Sequence, residues 1–341
     1  MPQHSSTRLQ QKRPGLEVER AGLTAPSPPS AEARLRPVVV VASRGLTLTA
    51  SAVLGLFFIQ RYRFLTIGQF ARAAGMKRPS AAEQLRDLER RGLLGHFGNV
   101  GMRGFGKTPK VYFLKRKGHE LLLRESDIPP DLIGAHRETH VEAKWSPQMF
   151  HRLHTVDLMI AAEVAVRARP QLSMVRTFIE YRRVRRGTQI TNETTDYVAV
   201  EPTSENRIVP DAAFVLENVE SGKRGLFFVE MDMATERIVS TITRDRRITL
   251  HYKLGQYDRY LQSGRFAQSY AAFGTFGFFT LLFVTFGEAR VDHIRHALLD
   301  LPPELATYYR FTTFEAAMED FLGAVWKTRS VDDNQRHSLV R

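Results

Sequence analysis

Ile208-Val209-Pro210-Asp211-Ala212-Ala213-Phe214-Val215-Leu216, followed after a polar turn by Leu226-Phe227-Phe228-Val229-Glu230-Met231-Asp232, decides how this chain folds. Both runs are rich in β-branched and aromatic residues and are bounded by the turn formers of Glu217 to Gly225, so they predict the two strands of a hairpin. Pairing Leu216 with Gly225 across that turn brings Asp211 opposite Glu230. Side chains alternate along a strand, so Asp232 shares the face of Glu230 while Met231 points away. Three carboxylates then gather at one end of an apolar hairpin. Burying such charges together is costly without a cation, a basic partner or solvent. Two readings stay open: the acids cap strand ends in water, or they hold Mg²⁺ or Mn²⁺, hard ions that prefer carboxylate oxygens and can promote phosphodiester hydrolysis.

Outward from the hairpin, the chain is long enough at 341 residues for two or three domains, with 43% hydrophobic and 25% charged residues, as in globular proteins. It has no cysteine, which excludes disulfides and thiolate zinc sites and fits a reducing cytoplasm, the expected location. No apolar signal-peptide core opens the sequence. The uncharged run Phe266 to Gly287 is long enough to span a bilayer, yet its Gln268, Ser269, threonines and glycines, and a strand-like apolar part from Phe276 to Phe286, predict a buried central strand. No membrane partner is expected.

The net charge of +13 is unevenly placed. Residues 1–36 carry six Lys/Arg against three Asp/Glu, residues 37–126 sixteen against five, and the remaining 215 residues 27 against 28. The positive excess therefore belongs to the first folded segment, the footprint of a nucleic-acid-binding module beside a near-neutral domain.

Residues 1–36, rich in Ser, Pro, Gln and Arg, read as a disordered basic tail. Residues 37–126 read as a winged helix-turn-helix. A helix is predicted from Thr49 to Tyr62. A short one follows over Thr66 to Gly75, with Ile67, Phe70, Ala71 and Ala74 on one face. After Met76-Lys77-Arg78, Pro79 starts a third helix to Arg91 whose inward face is Ala81, Leu85 and Leu88. This last helix is the one that enters the major groove in such modules. Strands Gly92 to Phe97 and Lys110 to Leu114 flank a glycine-rich loop, the wing, and a final helix covers His119 to Arg124. The expected DNA contacts are Lys77, Arg78, Ser80 and Gln84 at the helix start, Arg86 and Arg90 along it, and Arg103 and Lys107 in the wing. Glu83 and Asp87 lie near the same outer face and offer ordinary ion pairs to the arginines instead.

Residues 127–149, with several prolines, read as a linker. His136 and His140 are four apart, His151 and His154 three apart. Without cysteine or a His-Glu-x-x-His pattern, these read as surface histidines. Over 150–315 a helix (Phe150 to Ala168), strands at Ser173 to Tyr181 and Tyr197 to Val200, and the central hairpin come first. A long helix follows from Thr235 to Leu261, then a strand at Phe278 to Thr285, a helix at Val291 to Leu299 and a strand at Tyr308 to Thr312. That order predicts an α/β (α+β) layer fold. Arg182, Arg183, Arg185 and Arg186 form a basic knot in a loop. Lys253 and Tyr257 share one face of the long helix. Residues 316–341 form a C-terminal helix and tail.

Pro210-Asp211 followed by Glu230-Met231-Asp232 on the next strand, with an acid-bearing helix before and a helix and strand after, resembles the PD-(D/E)XK restriction-endonuclease-like superfamily. The winged helix together with Pro-Asp-Ala, Phe-Val-Glu-x-Asp, Thr-Glu and Lys-Leu-x-x-Tyr resembles the replication-relaxation family of bacterial plasmids and integrated mobile elements, over about Leu46 to Thr313. The resemblance implies that Asp211 and Glu230 are metal ligands, with Glu163 or Asp157 of the preceding helix as the additional acid. Asp232 stands where the superfamily expects the lysine that offsets developing phosphate charge. Either Lys253 reaches the site from the following helix, or Asp232 is a third ligand, or the site is a retired nuclease that only binds. The corresponding functions are a mobile-element DNA-binding protein that cuts double-stranded DNA with Mg²⁺ or Mn²⁺ through Asp211, Glu230, Asp232 and Lys253, and a non-catalytic replication or transfer regulator working with other plasmid proteins. A third is a winged-helix transcription factor with a small-molecule sensor domain.

Overall fold

A computed structural model describes residues 48–98, 100–102, 106–139, 147–180, 182–186, 189–240 and 249–340. The basic tail expected over 1–36 lies outside the described residues, as does Arg103 of the wing.

The first module is built as its periodicity dictates. Helix α1 (Ala50–Tyr62) is capped by the Thr49 hydroxyl, which accepts from Ala52 N–H at 3.2 Å. Strand β1 (Leu65–Thr66) leads into α2 (Ile67–Ala74), whose start is a reciprocal box: Thr66 Oγ1 accepts from the Gln69 amide and Gln69 Oε1 from the Thr66 amide. Gly75 ends α2 at φ 64°, a left-handed turn that glycine adopts without a Cβ penalty. Helix α3 (Arg78–Arg90) follows with Ala81, Leu85 and Leu88 buried, and then β2 (Leu94–Gly98). The wing contains the short pair β3 (Gly101–Met102) and β4 (Gly106–Lys107), and β5 (Lys110–Leu114) lies between β1 and β2 in a three-stranded antiparallel sheet. Gly95 lets β2 approach β5 closely, since a Cβ there would sit 2.4 Å from the Phe113 ring. Helix α4 (Arg116–Glu125) starts a turn earlier than its apolar residues suggested, and a single helical turn, α5 (Pro130–Ile133), follows.

Helix α6 (Pro147–Arg167) opens the second part and packs on the strands β6 (Leu172–Ile179) and β12 (Arg224–Met231), between which β11 (Ala212–Asn218) runs. Between β6 and β11 come a hairpin of β7 (Arg183–Arg186) and β8 (Gln189–Asn192) and a small pair, β9 (Asp196–Tyr197) with β10 (Arg207–Ile208). The basic knot expected in a loop is thus strand β7. Beyond β12 lie α7 (Leu250–Ser263), the short α8 (Arg265–Ser269), β13 (Phe279–Thr285), α9 (Glu288–Ala297), β14 (Tyr309–Thr313) and α10 (Phe314–Glu319). The central sheet runs β14-β13-β12-β11-β6, parallel across its first three strands and antiparallel across the rest. This is the mixed sheet flanked by helices that the sequence predicts.

Both faces of this sheet are covered. Phe214, Val229, Leu282 and Val284 point into one apolar core with α6, whereas Val215, Phe228, Leu281 and Phe283 point into a second with α7 and α9. Burial on both sides explains why the strands read as continuous apolar runs rather than alternating ones. It also accounts for the uncharged run at 266–287, which resolves into α8, a loop and β13. Among the described residues no helix is long and apolar enough to cross a membrane.

The first core is shared: residues of α1 to α4 and of α6 belong to one apolar cluster, and the described residues fall in one compact unit. Polar ties cross the same junction. Gln69 Nε2 donates to the Leu153 carbonyl at 2.8 Å in the interior, and Arg61 donates to Thr177 Oγ1 at 3.0 Å. Ile128 and Ile133, within the segment expected as a linker, are buried in that core. The C-terminal segment is also packed: Trp326 is fully buried, Lys327 pairs with Phe311, and Arg329 meets Asp258 at 2.9 Å.

The long helix expected from Thr235 begins only at Leu250, capped by Thr249. The described residues 232–240 are irregular, because Ala234 takes φ 58° to donate its N–H to Asp232 Oδ1 and Arg290 holds the Glu236 carbonyl at 2.8 Å.

Candidate functional site

Leu216 pairs with Gly225 and Ala212 with Val229, so the register continues to Asp211 opposite Glu230, as the sequence requires. Asp211 Oδ2 accepts the Met231 N–H at 2.8 Å. His151, in the first turns of α6, places Nε2 2.8 Å from the Met231 carbonyl and 3.2 Å from Asp211 Oδ2. Glu230 is 1% exposed; one carboxylate oxygen accepts from the Tyr257 hydroxyl and the other lies 2.6 Å from Lys253 Nζ. Lys253 and Tyr257 are four apart on α7, so one helix face supplies both partners. The result is two carboxylates, two bases and a phenol around the end of the hairpin. Lys253 and Tyr257 also line a cleft of about 690 Å³ with Arg207, Ile208, Val209 and Glu236.

Burial and neighbours set the protonation states. Burial alone would lower the His151 imidazole, but its bond and charge contact with Asp211, helped by the Met231 carbonyl, raise it to about 9. Burial would lift Asp211, yet His151 and Lys253 hold it below the ordinary carboxylate range. Glu230 is pushed up to about 8 by burial and by the Asp211 charge, against the pull of Lys253. Burial opposes the charge on Lys253, and Glu230, Asp211 and Glu236 more than restore it, keeping the ammonium protonated. At neutral pH the cluster therefore holds two protonated bases against its acids.

Asp232 does not join it. Strand β12 ends at Met231, and the Asp232 carboxylate is gripped by Arg290 of α9 (Nε to Oδ2 2.5 Å, Nη2 to Oδ1 3.1 Å) and by the Thr285 hydroxyl at 2.6 Å. Glu163 does not join it either: it lies twelve residues further along α6 than His151, about 18 Å at helical rise, and pairs with Arg61 at 2.6 Å. Asp157 pairs with Arg72. Helix α6 contributes His151 instead, one of the histidines the sequence assigns to the surface. Its neighbour His154 points elsewhere, edge-on to Phe286 and Phe314. No local pattern marked His151, because what it meets is on a strand 80 residues away.

Among the described residues no three His, Cys, Asp or Glu side chains are grouped to share a metal ion, and the imidazolium Nε2 already sits between Asp211 and the Met231 carbonyl.

On the winged helix the charges are arranged differently. Lys77, Arg78 and Ser80 stand exposed at the start of α3, and Lys107 is exposed in the wing, with no carboxylate paired to these cations among the described residues. Arg86 is exposed, its Nε bonded to the Ala82 carbonyl of its own helix, and Arg90 pairs with Asp87 at 3.2 Å. Gln84 is half-buried and donates to the Ser51 carbonyl, which ties α3 to α1 instead of leaving the amide to read a base.

The sequence model of the family described as replication-relaxation matches residues 56–275. Among solved structures, the chain is similar to the C30S mutant of Lactococcus lactis ZitR in complex with DNA. The identity is 15% and the TM-score 0.21, covering 27% of this chain and 60% of that one, so the chain spans about three-fifths of that protein's length. No curated protein matches the chain.

Proposed function

The chain belongs to the replication-relaxation family, and from that membership we propose that it is a DNA-binding protein of a bacterial plasmid or integrated mobile element, acting in replication or transfer through its winged helix. The observation that carries this reading is the uncommitted positive charge of Lys77, Arg78 and Lys107 on the two parts of the module, helix start and wing, that reach a duplex. Cations without acid partners lose little on meeting phosphate and release counterions from the DNA. Arg86 and Arg90 extend the same face. Other replication or transfer proteins of the element are the expected protein partners.

In this reading the sheet domain is a rigid support without catalysis. Its acids are matched by His151, Lys253 and Arg290, so it adds little net charge to repel DNA. The test is duplex binding at several salt concentrations by wild type and by Lys77→Ala/Arg78→Ala. Removing two phosphate contacts should weaken binding about tenfold or more near physiological salt and lower the log–log salt slope by about 2. Equal slopes would remove α3 from the interface.

One observation favours a second reading, phosphodiester cleavage by the sheet domain: Asp211, Glu230 and Lys253 do converge beside an open cleft. A divalent ion there would have to replace the His151 proton between Asp211 and Met231. Plasmid nicking with Mg²⁺ or Mn²⁺ by wild type and Asp211→Ala decides it, and equal activity in both removes it.

A further inference from the structure

We propose that α3 reads DNA sequence as well as charge, and that Glu83 selects a cytosine in the major groove. The inference deepens the reading of α3 as the helix that enters DNA, and rests on it. Ala81, Leu85 and Leu88 fix the inward side of α3. Opposite them, at helical spacing, stand Pro79, Glu83, Arg86 and Arg90, all exposed. In helix-turn-helix modules the residues in the N-terminal part of this helix meet base edges. Gln84, the neighbour suited to adenine, is withdrawn, since its amide donates to the Ser51 carbonyl. Ser80, Glu83 and Arg86 are therefore the polar side chains that the first turns of α3 hold out.

Of the two acids on that side, the fold engages one. Asp87 pairs with Arg90 at 3.2 Å and lies 3.8 Å from Arg91. Glu83 has no hydrogen bond or ion pair among the described residues. Arg86 stands one turn away, yet it turns its Nε back to the Ala82 carbonyl at 3.2 Å. An uncompensated carboxylate among Lys77, Arg78 and Arg86 lowers the attraction of this face for every phosphate backbone. Set against a donor on one base, the same carboxylate recovers that loss for one sequence and keeps it for all others, which is how repulsion builds specificity. The choice of base follows from the edges that the major groove presents. Guanine shows two acceptors and thymine an acceptor and a methyl group, all unfavourable to a carboxylate. Adenine sets its amino group beside the N7 acceptor. Cytosine shows an amino donor with no acceptor beside it, so the Glu83 carboxylate accepts from cytosine N4.

The test is selection by the full chain from a pool of duplexes with a randomised core, followed by titration of the enriched duplex with wild type, Glu83→Ala and Glu83→Gln. Both replacements are good helix formers at an exposed position, so the fold should hold, checked by an unchanged melting temperature. We expect wild type to enrich a motif containing a cytosine that Glu83→Ala no longer selects. On the enriched duplex Glu83→Ala should bind about tenfold more weakly, the scale of one mismatched base pair, while it binds a shuffled duplex more tightly than wild type does. Glu83→Gln should move the preference at that position to adenine, whose N6 and N7 a carboxamide matches in paired fashion. A carboxylate that merely sits on the surface would instead give tighter binding of Glu83→Ala to both duplexes. That result, or an unchanged motif in Glu83→Gln, overturns the proposal and leaves α3 as a helix that binds phosphate alone. Salt-sensitive binding by wild type with no enriched motif overturns it equally, whereas no binding to any duplex removes the DNA-binding reading as well.

Discussion

On α3, Lys77 and Arg78 stand in solvent without a carboxylate against either. In the sheet domain, Glu230 meets Lys253 at 2.6 Å, Asp232 is forked by Arg290, and Asp258 by Arg329. The same side-chain chemistry serves two ends. Exposed and unmatched, a cation keeps its attraction for an outside partner; buried and matched, a charge has its partner chosen by the fold, and the desolvation already spent makes removal of that partner costly. The contrast predicts that breaking a charge pair should damage folding in one region and alter binding in the other.

The largest effect belongs to Arg329→Met. Arg329 and Asp258 are 3% and 4% exposed at the side chain, and the Tyr309 hydroxyl also donates to Asp258 at 2.5 Å. Removing the guanidinium leaves a buried carboxylate without its cation, at about 3–5 kcal/mol, read from urea unfolding. Lys253→Met should cost less, since Glu230 can take up a proton. A small effect at Arg329 would mean that the interior charges are not what locks the C-terminal segment down.

The intermediate effect is a pH dependence at His151. Its folded value is raised from an ordinary 6.5 to about 9. A raised base stabilises the fold fully below 6.5 and loses that contribution as pH rises through 9. Its side chain is 32% exposed, so solvent screening reduces the effect to on the order of 1–2 kcal/mol. His151→Gln keeps a donor and deletes the charge. The stability gap between wild type and variant should be present at pH 6 and close by pH 9.5. Glu230, raised to about 8, adds a falling contribution at lower pH, which subtraction removes where it is common to both proteins. A gap that is flat with pH would show that His151 acts only as a neutral donor.

How far this contrast could be read from the sequence depends on the range of the interactions. The helices of the winged module carry their own caps and periodicity, and the hairpin register follows from a turn of fixed length. For that reason Asp211 falls opposite Glu230, and Lys253 reaches it from the same helix face as Tyr257. The partners of these acids are another matter. Arg290 is 58 residues from Asp232, His151 is 60 from Asp211, and Arg61 is 102 from Glu163. Such pairs depend on how separate elements dock, which no local spacing encodes. For the same reason the sequence shows three acids at one end of the hairpin but not the groups that meet them, His151, Lys253 and Arg290. The family resemblance and the mixed sheet hold because they rest on the order of elements, which sequence carries well.

The smallest effect sharpens the comparison most. Asp87 pairs with Arg90 at 3.2 Å and lies 3.8 Å from Arg91 on the outer side of α3, with half of its side chain in water. Exposed pairs of this kind contribute roughly 0–1 kcal/mol, so Asp87→Ala should shift unfolding by no more than about 0.5 kcal/mol. Yet the substitution removes a negative charge from the face that meets phosphate and releases Arg90 from its only pair among the described residues, so duplex affinity should rise about two- to fivefold at low salt and fade as screening increases. Interior pairs offer no such exchange: loss of either member lowers stability and exposes nothing for DNA to use. Asp87→Ala measured for both unfolding and duplex binding therefore separates the two roles of charge in one protein. A loss of stability without a gain in affinity would place α3 among the structural elements and away from the DNA.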